Sequence, residues 1–288
     1  MKLSIITINY NNRDGLRKTI ESVVNQTWQD FEYIVIDGGS TDGSVEVIKE
    51  FADHIDYWVS EPDKGIYDAM NKGISVAKGE YCQFLNSGDA LSDANVVKYI
   101  VRVLEDKAIY FAKTRFIDTL GVIKAPEQIT MRTLYTRSLP HPSSYIQRQL
   151  LLKFPYDETL RIVSDWKFWI QAIIMENCTY GIIDMIAVDF DTNGLSAKHK
   201  NIVLTEREVV LKQLLPHRVY IDYFQEINGV NYTDTNYDKL FIEIRKRNYR
   251  KIVYTATILL MRFFAIFKKS ARFIKDYPLR INGNTNRP

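Results

Sequence analysis

Along the N-terminal part of the chain, apolar blocks of strand length alternate with blocks in which apolar residues return every three or four positions. Leu3 to Ile8 is a short apolar run, after which Asn12 or Asp14 offers an N-cap and Leu16, Ile20, Val23 and Val24 follow at helical spacing. Tyr33 to Ile36 reads as a second strand, closing on Asp37 and the turn Gly38-Gly39-Ser40-Thr41-Asp42-Gly43. A helix over Ser44 to Phe51, a strand over Ile55 to Val59, a helix over Tyr67 to Ala77 and a strand over Tyr81 to Leu85 complete the series. Strands and helices in this rhythm predict a parallel, doubly wound sheet.

After Asp89 the rhythm loosens. A helix is predicted over Ala94 to Leu104, strands over Ile109 to Phe116 and Val122 to Ala125, then an irregular stretch containing Pro140, His141 and Pro142. A helix over Ser164 to Met175 and strands within Tyr180 to Phe190 follow, and beyond about Asn201 the pattern is helical. The second half is therefore read as the mixed-direction part of the same domain.

Composition sharpens this in two places. With 288 residues, 46% hydrophobic and 25% charged, the chain suits one large α/β domain plus an appendage, or two modest domains. The net charge of +3 makes no case for a nucleic-acid partner, but eleven Lys and Arg fall between Arg245 and Arg280 against the single acid Asp276. Within that segment Ile252 to Phe267 is nearly all apolar except for Arg262, too short to span a bilayer and suited to lying in a membrane interface. The other reading is a helix docked on the domain or joining two copies. Cys82 and Cys178 lack metal-ligand spacing and are expected free and buried, which with the absence of a leader pattern suits the cytoplasm.

Ligands of open α/β sheets bind beyond the carboxyl ends of the strands. Here those ends carry Thr7, Asn9 and Tyr10, then Asp37 with Gly38 and Gly39, then Asn86 to Asp89. The first turn lacks the glycines of a dinucleotide site, and no Walker lysine follows a glycine-rich loop. Glycines beside Asp37 permit close approach of backbone to a base or ribose. Asp42 is either part of that loop or the N-cap of the next helix. Asp68, Asn71 and Lys72 share one helix face, suited to a diphosphate or to an internal ion pair. Asp89 stands alone among small residues, and a cation bridging two phosphates needs only one or two protein carboxylates.

Seven stretches in register resemble family 2 glycosyltransferases: SIITINYN (4–11), SVVNQ (22–26), EYIVIDGGSTDG (32–43), EPDKGIYDAMNKG (61–73), FLNSGD (84–89), HPSSY (141–145) and SDW (164–166). They look most like the branch serving bacterial capsule, O-antigen and colanic-acid-type polysaccharides. The resemblance implies a GT-A fold, with residues 1–200 as the transferase domain (about 1–100 for the nucleotide sugar, 101–200 for the acceptor) and 201–288 as a helical basic extension. It implies inverting transfer from a UDP-, GDP- or dTDP-sugar to a glycan or lipid-linked acceptor at the inner face of the membrane. Thr7, Tyr10 and Asp37 would hold the nucleoside, Asp68, Asn71 and Lys72 the diphosphate and sugar. Asp89 would hold Mn2+ or Mg2+, although Asn86, Ser87 and Gly88 stand where many relatives have further acids. Asp165 would be the catalytic base, with Ser164 where many relatives have Glu. His141 is read as an acceptor or phosphate contact or a packed ring, His199 as a candidate late metal ligand, His54 and His217 as surface residues. Trp166 and Trp169 are read as core. Two competing functions are a silent GT-A scaffold at the membrane, favoured by the missing acids, and a nucleotidyltransferase, for which the glycine- and basic-rich first loop is absent.

Overall fold

The computed structural model describes residues 1–191 and 200–228. His199 and the basic segment from Arg245 onward lie outside them. The chain divides into two compact units, Met1–His217 and Arg218–Pro288.

In the first unit β1 (Leu3–Asn9), β2 (Glu32–Asp37), β3 (Tyr57–Ser60) and β4 (Tyr81–Asn86) are parallel, in the order β3-β2-β1-β4. Every residue of β1 and β2 is buried, as continuous apolar runs in a sheet covered on both faces should be. Helix α1 (Arg13–Val24) puts Leu16, Ile20 and Val23 onto Leu3, Ile5, Tyr33 and Val35. Helix α2 (Ser44–Glu50) adds Val47 and Ile48 to the same cluster. The alternate residues face the other way. There α3 (Ile66–Val76) lies so near the sheet that a β-carbon on Gly73 would come 2.5 Å from Ile6 Cγ2. An alanine at 73 would overpack that contact at a cost of roughly 1–3 kcal/mol.

The caps match their chemistry. Asn12 accepts the Gly15 N–H at 3.2 Å and starts α1. Asp42 takes the Arg13 N–H at 2.8 Å and the Ser44 N–H and hydroxyl at 3.1 and 2.6 Å, tying the starts of α1 and α2 together. The N-cap position of α2 is Gly43, so Asp42 binds the start of the helix from one residue ahead of the cap.

Beyond β4 the sheet continues as β8 (Ser144–Gln147), β6 (Ile109–Phe116), β9 (Tyr180–Phe190) and β5 (Ala90–Leu91). β8 runs antiparallel to both neighbours, β9 parallel to β6, and β5 antiparallel to β9. β7 (Val122–Ile123) pairs with β6 off this path. The stretch around Pro140 is more structured than its composition suggests. It holds α5 (Met131–Thr136), a 3-10 turn at His141–Ser143, β8, and α6 (Arg148–Lys153). α4 (Val96–Val103) precedes β6, and α7 (Ser164–Trp169) runs on into a π-turn at Ile170–Met175. Trp166 and Trp169 are fully buried, as their spacing predicts.

Helix α8 (Lys200–Leu214) belongs to the first unit, burying Val210 and Leu211. α9 (His217–Asn228) opens the described part of the second. No helix among the described residues is long and apolar enough to cross a membrane.

Candidate active site

Parallel strands end together, so β1, β2 and β4 deliver Asn9, Asp37 and Asn86 to one edge. Asp37 is wholly covered there. Its Oδ1 accepts from Asn9 Nδ2 at 2.7 Å and the Ser40 hydroxyl at 2.6 Å; Oδ2 accepts from the Ser40 N–H at 2.9 Å and the Ser60 hydroxyl at 2.6 Å. Burial alone would raise the Asp37 carboxyl, but these donors from Ser40, Ser60 and Asn9 outweigh it and hold the group below the usual carboxylate range. Its oxygens are thus spent on shaping the 37–40 loop. Thr7 is also fully buried, its hydroxyl 3.1 Å from that of Tyr33. Tyr10 is the exposed member of this group.

Asp63, to which no role was assigned from sequence, takes the position facing that loop. Its carboxylate fills the space a β-carbon on Gly38 would need, beside the ring of Tyr10, and its Oδ1 accepts the Gly65 N–H at 2.9 Å. Burial pushes its carboxyl up, and the charges of Asp68 and Asp37 push in the same direction. Gly39, at φ +79°, packs against the backbone of Glu61 and Pro62, so a side chain there would be both strained and crowded.

The α3 face is already engaged. Lys72 pairs with Glu61 at 2.9 Å and with Asp68 at 3.4 Å, and Asp68 also accepts the Lys64 N–H at 2.9 Å. Asn71 grips the backbone of Tyr156 at both ends, donating to its carbonyl at 2.8 Å and accepting its N–H at 3.0 Å.

The turn after β4 is fastened to α1. Thr19 donates to the Asp89 carbonyl at 2.6 Å and accepts the Gly88 N–H at 3.0 Å, while Lys18 donates to the Gly88 carbonyl at 2.9 Å. Asp89 is 3% exposed; its Oδ1 accepts the Asp191 N–H at 3.1 Å and its Oδ2 is buried without a partner. Burial pushes its carboxyl up to about 7, and the nearby Asp191 charge acts in the same direction. Asp191 lies at the end of β9, its Oδ2 3.2 Å from where a Gly88 β-carbon would be. No signal in the 84–89 motif could have pointed to a carboxylate so far along the chain.

Asp165 sits in the first turn of α7, half-buried, with the Tyr67 hydroxyl 3.2 Å from its Oδ1. That hydroxyl also reaches the Ile162 carbonyl at 2.6 Å. Tyr67 belongs to the first turn of α3, so the contact brings a carboxylate from the second half of the chain to the helix that follows β3. His141 lies nearby but is a packed ring. It is 8% exposed, stacked on Phe84 at 5.3 Å, with Nε2 2.8 Å from the Tyr156 hydroxyl. Burial lowers its pKa against the pull of the Asp165 charge, leaving it neutral at pH 7. His54 and His217 are exposed. Cys82 and Cys178 are free thiols, the first buried and the second half-buried.

Residues 4–160 match the family described as Glycosyl transferase family 2, more than half of the chain. The chain belongs to this family. An uncharacterized glycosyltransferase of Mycobacterium tuberculosis is 34% identical over 204 residues, covering 68% of this chain and 77% of that protein. Among solved structures, S. aureus TarS 1-349 in complex with UDP-GlcNAc superposes with a TM-score of 0.61 at 18% identity, over 82% of this chain and 74% of that one. The mannosyltransferase PcManGT from Pyrobaculum calidifontis, in complex with GDP-Man and Mn2+, gives 0.50 at 16%, over 65% and 56%. The family 2 chain is a glycosyltransferase with a GT-A fold.

Proposed function

We propose that this family 2 glycosyltransferase inverts the anomeric centre of a nucleotide-diphosphate sugar, passing the sugar to an acceptor hydroxyl in one displacement. The observation that carries the proposal is the contact of Asp165 with Tyr67. It places one carboxylate at the head of α3, beside the strand ends where a donor would lie. In the step, Asp165 takes the acceptor proton as the acceptor oxygen bonds to the anomeric carbon. The bond from that carbon to the β-phosphate oxygen breaks, and its electron pair leaves with the nucleoside diphosphate. A hydroxyl attacking from the face opposite the leaving group gives the inverted product.

Tyr10, Gly38, Gly39 and Asp63 are proposed to hold the nucleoside. Asn9 and Asp37 act beneath them by fixing the loop, and Thr7 by packing under the strand ends. Lys72 and Asp68 edge the diphosphate, and Asn71 holds the 156–158 loop against α3.

A divalent cation fits the remaining chemistry, because Asp89 offers a buried oxygen with no partner and Asp191 brings a second carboxylate alongside. Among the described residues no group of three or more ligating side chains gathers, so phosphates and water would complete the shell. When bound, Mn2+ or Mg2+ would stabilise the departing diphosphate as a Lewis acid. The acceptor is proposed to be a growing or lipid-linked glycan met at the cytoplasmic membrane face.

Thermal unfolding with UDP-, GDP- and dTDP-sugars, with and without Mn2+, tests the reading. Binding raises the melting temperature by mass action, so one nucleotide class should stand out. No shift with any donor would favour a catalytically silent scaffold instead.

A further inference from the structure

We infer that Glu206 on α8 is a positioning residue for Asp165, holding the segment from which the base projects. The inference rests on Asp165 being the base, as proposed above.

Arg161 to Val163 lead into α7 without secondary structure of their own. Their three successive N–H groups converge on one carboxylate: Arg161 donates to Glu206 Oε1 at 2.7 Å, and Ile162 and Val163 donate to Oε2 at 3.0 and 3.2 Å. Successive amides turned to one side form a concavity that needs an anion at its centre. Val163 is the residue that enters α7, and its apolar side chain makes no capping bond. Glu206 does not cap α7 itself; from another helix it gathers the amides of the two residues before the N-cap and of the N-cap residue, through charge-assisted bonds.

The opposite side of the segment is held as well. Tyr67 donates to the Ile162 carbonyl at 2.6 Å, so Ile162 is pinned at both its N–H and its C=O. The next residue of α8 reinforces the arrangement. The guanidinium of Arg207 lies 4.8 Å over the ring of Trp166, the neighbour of Asp165, and Trp166 donates its indole N–H to the Leu134 carbonyl at 2.6 Å. Burial lowers the pKa of Arg207 while the Asp165 charge raises it, which places that cation within the field of the base. One turn of α8 thus fixes the residues on both sides of Asp165.

A base must lie within a few tenths of an ångström of its working position, and a shift of about 1 Å can cost ~100-fold in rate. Loss of Glu206 should therefore act on turnover and spare donor binding.

The test uses the full chain and Glu206→Ala, Glu206→Gln and Asp165→Asn. Water replaces the unidentified acceptor: nucleoside diphosphate released from a mixture of UDP-GlcNAc, UDP-glucose, GDP-mannose and dTDP-rhamnose is measured against donor concentration. The expected result is a kcat lowered ~10–100-fold in Glu206→Ala with donor KM unchanged. Glu206→Gln, which keeps one acceptor oxygen, should lie between it and the wild type. Hydrogen exchange should speed up at the amides of 161–163 in Glu206→Ala. If Glu206→Ala does not fold, Glu206→Gln carries the decision, and a wild-type kcat there overturns the inference. Wild-type kcat in the Glu206 variants beside an inactive Asp165→Asn also overturns it, and leaves the base assignment intact. An active Asp165→Asn removes the base assignment itself.

Discussion

The carboxylate of Asp63 occupies the volume that a side chain on Gly38 would fill, with Tyr10 Cδ2 3.2 Å from the same point. Glycine at 38 is therefore a requirement of Asp63 rather than of the turn, whose left-handed residue is Gly39. Since the obstructed atom is the end of a side chain, Gly38→Ala should displace Asp63 and leave the fold intact. With a charge-assisted bond to the nucleoside worth roughly 1.5–3 kcal/mol, donor affinity should fall ~10–100-fold. Calorimetric titration with the matching nucleoside diphosphate measures it, and unaltered affinity would separate Asp63 from the nucleoside.

Asp165→Asn should abolish transfer and leave donor affinity within about two-fold, since general-base assistance supplies roughly 100- to 10,000-fold. Retention of a tenth of wild-type turnover would exclude Asp165 as the base.

The cation assignment predicts that Asp89→Ala weakens sugar-nucleotide binding only when Mn2+ or Mg2+ is present. In the metal-free protein the same change removes a buried, partnerless oxygen but also the acceptor of the Asp191 N–H, so its melting temperature should change little. Parallel donor titrations with and without Mn2+ decide the matter; equal affinities for variant and wild type throughout would remove Asp89 from this role.

His141 gives the pH prediction. Burial depresses its folded pKa below the ordinary value of 6.5, so the unfolded chain takes up a proton that the folded one refuses. The stability His141 confers is complete above about pH 6.5 and is lost as the pH falls through 6.5 toward the folded value. Each pH unit between those two values is worth ~1.4 kcal/mol. Glutamine keeps a group able to meet the Tyr156 hydroxyl but does not titrate. The melting temperature of His141→Gln should therefore gain on the wild type between pH 7.5 and pH 5. Parallel pH curves would show the imidazole charged in the native state.

A chain shortened to end near Leu240 should lose salt-sensitive binding to anionic vesicles and keep its donor site. Each basic residue near an anionic leaflet adds about 1 kcal/mol. Co-sedimentation at low and high salt reads this out, and failure of the full chain to bind vesicles would leave the docked-helix reading of the basic segment.

The parallel half of the domain was legible because continuous apolar strands, caps and glycine turns are written locally: Leu3–Asn9, Asn12 and Gly39 all behave as their neighbours in sequence demand. The stretch around Pro140 was not, because β8 is a four-residue strand specified by its partners β4 and β6 rather than by its own pattern. The site shows the same division. Asp165 and Asp89 stand in motifs, whereas Asp191 and Glu206 act across long sequence separations and carry no local mark. Asp37 reads as a ligand-facing acid from its loop, yet Ser60, 23 residues away, helps fill its acceptor sites.

The pairing of β5 with β9 imposes an order on assembly of the sheet. Asp89 and its backbone partner Asp191 are 102 residues apart, so at roughly 5–20 residues per second the ribosome needs about 5–20 s to produce the second after the first. During that interval β1 to β4 can assemble as a parallel unit while the Asp89 carboxylate is still hydrated, and the far edge of β4 has no neighbour until β8 is made. Until β8 covers it, that bare edge offers unpaired amides to any extended peptide nearby.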